Sequence, residues 1–304
     1  MASFKRFKRF PFLTVIVVAA LIAAMVIYRE RVVLRSERTA IHEGRRAEAR
    51  GRALLPIPPE RKVPQAESGR RITVIIDDIG YDLRSVEELI RIEAPIAFAV
   101  LPHTPHAREA ARLLHAAGKE ILLHLPMEPR SYPAEDPGAG ALFVNMDGEE
   151  TRRRIEADLA AVPYVSGVNN HMGSRFMEDE AGLAVVMEEL AKRGLFFVDS
   201  LTTPDSRARS AAARAGVRYA SRAVFIDHTP DHATVLANLL QLPPRGREQG
   251  KPLLMIGHPH PDTVRALREA QPLWQKEGVR MIPLSAYLAL QGGQEKKDTL
   301  AKYR

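Results

Sequence analysis

The chain contains no cysteine among its 304 residues. Disulfides, thiolate nucleophiles and thiolate-ligated zinc are thereby excluded, so any metal chemistry must run through His, Asp and Glu. Aromatic residues are scarce at 6%, with one tryptophan, Trp274, whose place in a helical segment suits packing better than a sugar platform. A basic globular surface is also missing. The formal charge is +7, but residues 1–70 hold 15 Lys and Arg against 6 Asp and Glu, while the remainder holds 29 against 31. A nearly neutral globular part lacks the electrostatic footprint of nucleic-acid binding. Hydrophobic residues make up 45% of the chain, enough for a full core.

The basic character belongs to an N-terminal arm. After Lys5, Arg6, Lys8 and Arg9, residues 11–28, PFLTVIVVAALIAAMVIY, run for 18 positions without a charge, and Arg29 follows. This reads as one membrane-spanning helix, its basic flank (residues 1–10) on the cytoplasmic side. A cleaved signal peptide is the rival reading, but the run is long for one and no clear A-x-A cleavage site follows it. Residues 29–70 are Arg-rich and then Pro-rich, which suits a stalk, and residues 292–304 suit a solvated tail. The expected location is the bacterial inner membrane, with the globular part on the periplasmic side.

From Ile72 onward short apolar runs alternate with amphipathic segments. Candidate strands are 72–76, 96–100, 120–123, 167–168, 195–198, 224–226, 253–256 and 279–282, with helices between most of them. One helix is expected after Leu101, with Thr104 as N-cap, Pro105 in the first turn and Gly118 past its end. Repeated strand–helix–strand units imply a largely parallel sheet covered on both faces. A β/α barrel is the expected closure; an open doubly wound sheet is the alternative.

The stretch ITVIIDDIGYD places two adjacent carboxylates, Asp77 and Asp78, at the end of a buried strand, where they need partners. Other polar residues follow other candidate strands: His103, His124, Asn169-Asn170-His171, Asp199-Ser200, Asp227-His228 and His258. In a β/α barrel such positions gather at one mouth. Helix capping accounts for Asp, Asn and Ser there, but not for repeated histidines. A set of Asp and His suits Zn²⁺ and other divalent transition ions. Two adjacent side chains on an extended strand point opposite ways, so the pair should sit where the strand turns into its loop, with Gly80 giving the freedom to turn.

The motifs IIDDIGYD, FAVLPH, GKEILLHLPMEP, GVNNHMGSRF, FFVDS and LLMIGHPHP together resemble the divergent polysaccharide deacetylases, bacterial envelope relatives of the NodB-like carbohydrate esterases. The resemblance spans residues 71–291. It implies a distorted parallel β/α barrel with a metal-dependent N-deacetylase site. Asp77 is then the base, Asp78 and His124 metal ligands, and His258 the acid. The second metal histidine of ordinary members falls on Glu128 here, leaving Glu128 and His171 as alternatives; His171 is preferred. The Arg-Pro motif that orients the base in ordinary members is missing, and Arg175 is the nearby arginine. His103, Asn170 and Asp199 are expected to contact substrate or orient ligands. The implied cofactor is a divalent metal such as Zn and the implied partner a glycan substrate, while the N-terminal helix adds the membrane as a partner. The implied activity is removal of N-acetyl groups from an envelope polysaccharide. The alternatives are a non-catalytic envelope protein that binds metal and glycan, and a sugar O-esterase.

Overall fold

The computed structural model describes residues 70–241 and 252–291. Among these residues nine strands, all parallel, build one sheet: β1 (Arg70–Ile79), β2 (Ala97–Val100), β3 (Glu120–Met127), β4 (Gly167–Met172), β5 (Phe196–Asp199), β6 (Tyr219–Ser221), β7 (Val224–Phe225), β8 (Leu253–Gly257) and β9 (Val279–Met281). The described helices between them are α1 (Leu83–Ile90), α2 (Ala107–Ala116), α3 (Gly148–Ala161), α4 (Glu180–Arg193), α5 (Ala208–Ala215), α6 (His232–Leu240) and α7 (Pro261–Lys276).

Strand order decides between the two expected architectures. It runs β6-β5-β4-β3-β2-β1-β8-β7, with β9 beside β1. This order is cyclic, without the reversal that defines a doubly wound sheet. The sheet curls, and its two edge strands belong to one run of chain. Residues 219–221 pair with β5 and residues 224–225 with β8. Between them the Arg222 N–H donates to Asp199 O and the Ala223 N–H to Leu254 O. The result is a partial parallel barrel, interrupted at one seam that the chain itself crosses.

Two apolar cores follow from strand alternation. Ile72, Val74, Ile76, Phe98 and Leu123 face outward and pack under helix residues such as Leu89, Leu114, Ile155 and Leu190. Ile75, Ala97, Ala99, Leu122, Val198, Ala220, Leu254 and Ile256 face inward and form the barrel interior with Ile282, Leu284, Tyr287 and Leu288. Those last residues lead into and lie on a helical segment, residues 284–291. Its first amides are held by a strand: the Leu284 N–H donates to Glu120 Oε2 at 2.7 Å and the Ser285 N–H to Glu120 Oε1 at 3.1 Å. A carboxylate at a helix N-terminus satisfies orphan donors and opposes the helix dipole.

Several boundaries differ from expectation for identifiable reasons. The helix after Leu101 starts at Ala107 with His106 as N-cap, because Thr104 donates its hydroxyl back to Leu101 O and shapes a turn instead. Strand β6 was not expected. It is three residues long, and only Ala220 of it is buried, too little for a periodic signal. Strands β3 and β4 run on to Met127 and Met172, so His124 and Asn169–His171 lie within strands rather than after them. Among the described residues no helix is long and apolar enough to cross a membrane. The expected span at 11–28, the stalk up to residue 69 and the tail at 292–304 lie outside the described residues, while Arg70 already pairs in β1.

Glu120 ties the far end of the barrel to residues 284–291 without touching the mouth. Glu120→Ala is expected to lower the unfolding free energy by about 1–2 kcal/mol, the usual worth of a lost helix cap. Denaturant melts would show it, and an unchanged midpoint would contradict it.

Candidate functional site

Asp77 and Asp78 are placed by a bulge. Strand β1 pairs Ile76 with Phe98 and then Ile79 with Val100, so it carries one residue more than β2 over that interval. Asp78 takes φ 55, in the left-handed region. The carboxylates therefore sit inside a bulged strand, which runs to Ile79, and not at the turn beyond it. Bulges of this kind re-aim a side chain. Gly80, at φ 131, follows; a Cβ there would stand 2.1 Å from Thr104 Oγ1.

Other strands bring their inward side chains to the same mouth. On β3 the inward series is Glu120, Leu122, His124; on β4 it is Asn169, His171; on β8 it is Leu254, Ile256, followed by His258. Asp78 Oδ1 lies 3.2 Å from His124 Nε2 and 3.0 Å from His171 Nδ1. The two nitrogens lie 3.2 Å apart. Three donor atoms thus form a nearly equilateral triangle at the barrel mouth.

A hydrogen-bonded chain fixes this triangle. His124 Nδ1 meets Asn169 Oδ1 at 2.9 Å, and the Asn169 amide donates to Asp77 Oδ1 at 2.8 Å. An amide oxygen can only accept, so His124 Nδ1 carries a proton, and in the neutral ring that a metal requires the lone pair is on Nε2, facing the triangle. Asp77 Oδ2 stands 3.7 Å from His124 Nε2, and both side chains are buried.

The charges are strongly coupled. Burial pushes the Asp77 carboxyl up, against the pull of His124 and His258. Burial would raise Asp78 too, but His124 and His171 outweigh it and hold that carboxyl far below the usual range. His124 is opposed most by burial, yet Asp77 and Asp78 lift it to about 9. A buried carboxylate and a half-buried one thus draw positive charge to one point, which a proton or a cation can supply.

The residues fit a divalent metal. Ligand bonds of about 2.0–2.1 Å in tetrahedral array put donors roughly 3.3 Å apart, close to the 3.0–3.2 Å separations here. Asp78 Oδ1 is buried and makes no well-formed hydrogen bond to either imidazole, as expected of an oxygen aimed at a shared centre and not at a donor. Two His and one Asp leave coordination positions open.

Across the mouth, His258 Nε2 faces Asp78 Oδ2 at 3.7 Å. Its Nδ1 meets Asp227 Oδ1 at 3.1 Å. Asp227 Oδ2 accepts the His258 backbone N–H and the Thr263 hydroxyl. Asp227, His258 and His260 also bring their ligand atoms together. Asp227, however, is already occupied by three donors, and His260 is the exposed N-cap of α7.

Four expected residues do not reach the triangle. Glu128 is buried but turned away, accepting from Arg175 Nη1 at 2.8 Å and the Val144 N–H at 2.8 Å. Arg175 is accordingly engaged with Glu128. Asn170 and Asp199 have the opposite parity to Asn169 and Ser200. Asn170 Oδ1 accepts the Ser200 N–H, and Asp199 accepts from the Leu201 N–H, the Ser206 hydroxyl and the Tyr219 hydroxyl; both organise loops. His103 turns to Asp158, at 2.7 Å. Asn169 and Asp227 take the positioning roles instead. The period-2 pattern of GVNNHM already pairs Asn169 with His171; Asp227 carries no comparable signal.

The sequence profile of the family described as divergent polysaccharide deacetylase matches residues 74–288. The uncharacterized protein YibQ of Escherichia coli is 37% identical over 200 residues, which cover 66% of this chain and 61% of that protein. An uncharacterized protein of Haemophilus influenzae is 32% identical over 199 residues, covering 65% of this chain and 70% of its own length. This chain thus spans less than two thirds of the Escherichia coli relative. A crystal structure of an uncharacterized protein from Agrobacterium tumefaciens shares the fold with a TM-score of 0.68 and 22% identity, over 73% of this chain and 90% of that one.

The geometry predicts which substitutions weaken metal binding. Titrated with Zn²⁺ in a calorimeter, His171→Ala should lose measurable affinity, Asn169→Ala should lose about 10–100-fold as an orienting residue, and Glu128→Gln should stay near wild type. Loss of binding in Glu128→Gln with retention in His171→Ala would reverse the assignment.

Proposed function

The chain belongs to the divergent polysaccharide deacetylases, and from that premise we propose that it is a metal-dependent hydrolase that removes N-acetyl groups from an envelope polysaccharide. The observation that carries this reading is the triangle of Asp78, His124 and His171 with Asp77 on one side and His258 on the other. A divalent cation held by those three ligands would supply Lewis acidity to the site.

The remaining chemistry belongs to the chain. Asp77, whose burial pushes its carboxyl above the ordinary value, is suited to take a proton from water as the water oxygen adds to the acetyl carbon. Its other neighbour, the Asn169 amide, holds the carboxylate in place without neutralising it. His258, steered by Asp227 through Nδ1, presents Nε2 to the site and gives a proton to the nitrogen as the C–N bond breaks. Acetate and a free amine result. In this reading Asn169 does the orienting work that an arginine does in ordinary members, and residues 11–28 hold the domain at the outer face of the inner membrane.

The protein, purified in detergent, is expected to release acetate from peptidoglycan fragments or chitooligosaccharides, and EDTA should abolish the release. Asp77→Asn and His258→Ala should each cost roughly 10²–10⁴-fold in kcat, the usual worth of general acid–base catalysis. No acetate from either glycan while Zn²⁺ is bound would overturn catalysis and leave a binding role. Preference for an O-acetyl ester would point to an esterase.

A further inference from the structure

Arg222 stands on the seam between β6 and β7, and its guanidinium reaches the loop beyond β5. Its Nε donates to Ser200 O at 2.7 Å and its Nη2 to Leu201 O at 3.1 Å. Its central carbon lies 5.0 Å from the centroid of the Phe225 ring, and that ring meets the His258 imidazole edge to face at 5.1 Å. Ser200 Oγ is in turn 3.4 Å from the Asn169 amide nitrogen that grips Asp77. This run of contacts seats the guanidinium at the mouth, between the side that holds Asp77 and the side that holds His258. Burial opposes its charge, while the carboxylates of Asp199 and Asp77 favour it.

Its partners set this arginine apart from others near the mouth. Arg175 is paired with Glu128 and Arg130 with Glu178. Both acceptors of Arg222 are neutral carbonyls, and among the described residues no carboxylate stands within ion-pair reach of it. Asp199, the carboxylate on the neighbouring strand, already accepts from Leu201, Ser206 and Tyr219. Leu201 itself, held at φ 57's neighbouring region with φ 51, is 38% exposed and brings no charge.

The two carbonyls occupy only one edge of the fork. Nη1 has no partner among the described residues, yet it is not one of the buried polar atoms left without a partner, so it is open to solvent. The Nη1–Nη2 end is an edge that takes a carboxylate through two parallel hydrogen bonds. Phe225 beneath it steadies the plane of the guanidinium and favours its charge. A brace for the Ser200 loop accounts for Nε and for one Nη2 bond, but leaves the open end without a use.

We infer that Arg222 selects an acidic glycan, its open edge taking a carboxylate of the substrate while the N-acetyl group lies at the metal triangle. The inference rests on the deacetylase reading for the place of the sugar, and it adds the charge that the sugar carries.

The test is a ligand-observed NMR titration of the Zn²⁺-loaded full chain in detergent, with acetate release followed in parallel. Two acids place the carboxylate differently: N-acetylmuramic acid carries it on the N-acetylated sugar, and a disaccharide of glucuronic acid and N-acetylglucosamine carries it on the neighbouring one. The methyl ester of each acid is its neutral counterpart. At least one acid should bind about tenfold more tightly than its ester, as expected for hydrogen bonds between charged groups. Arg222→Gln should bring acid and ester together while Zn²⁺ binds as before, and Arg222→Lys should keep part of the preference. No saturable binding of either acid, equal binding of acid and ester, or a preference that survives Arg222→Gln, as a carboxylate seated on the metal would give, would each overturn the inference. So would a fall of acid and ester by the same factor in Arg222→Gln, the result of a mere loop brace. Acetate release without acid preference would count against this inference alone; acid preference without acetate release would support it and count against the deacetylase reading.

Discussion

A β-strand sends its side chains alternately to its two faces, and that single constraint decides which polar residues of this protein reach the barrel mouth. The inward series Glu120, Leu122, His124 shows its reach. One strand seals the far end of the barrel through Glu120, fills the interior through Leu122 and arms the mouth through His124. Asn169 and His171 share the inward face of β4, while Asn170 between them is turned to the Ser200 loop. The bulge at Asp78 suspends this alternation and lets two consecutive carboxylates serve the same pocket.

Charge then determines what the pocket can hold. Asp77 is withdrawn from water and Asp78 is half-buried, and among the described residues neither is paired with an arginine or lysine in the triangle. Their nearest cationic groups are imidazoles, which exchange a proton for a metal ion readily. Neutral and charged partners divide the remaining work. Asn169 fixes the His124 tautomer and grips Asp77 with one amide, and Asp227 grips His258 from behind. Glu128 and Arg175 pair outside the triangle, so the carboxylate at the position of the family's usual second histidine is turned away from it, while His171 from the next strand stands at its third corner.

Much of this was legible in the sequence. Alternating apolar and amphipathic segments gave a parallel β/α architecture, and histidines recurring after apolar runs pointed to one mouth. Asp77, Asp78, His124, His171 and His258 do converge there. The errors have a common cause. The apolar runs stop short of the strand ends: β1, β3 and β4 continue through their polar residues because inward polar side chains at a barrel mouth need no apolar partner. An apolar run therefore does not show which of two adjacent polar residues faces inward, and Asn169 and Ser200 stand where the motifs suggest Asn170 and Asp199. His103 and Glu128 went astray for another reason: their partners, Asp158 and Arg175, lie 55 and 47 residues away, and no local pattern announces such pairs. The seam at Arg222 and Ala223, where one run of chain changes neighbours, is likewise a property of closure and not of any segment.

The central claim is that Asp78, His124 and His171 close around one cation. It is tested most directly by a crystal structure of the Zn²⁺-loaded protein with anomalous data collected at the zinc edge. A single strong peak bonded to Asp78 Oδ1, His124 Nε2 and His171 Nδ1, with Glu128 still on Arg175, is the predicted result. A peak bonded to Glu128, or one seated on Asp227, His258 and His260 with the triangle vacant, would contradict the account.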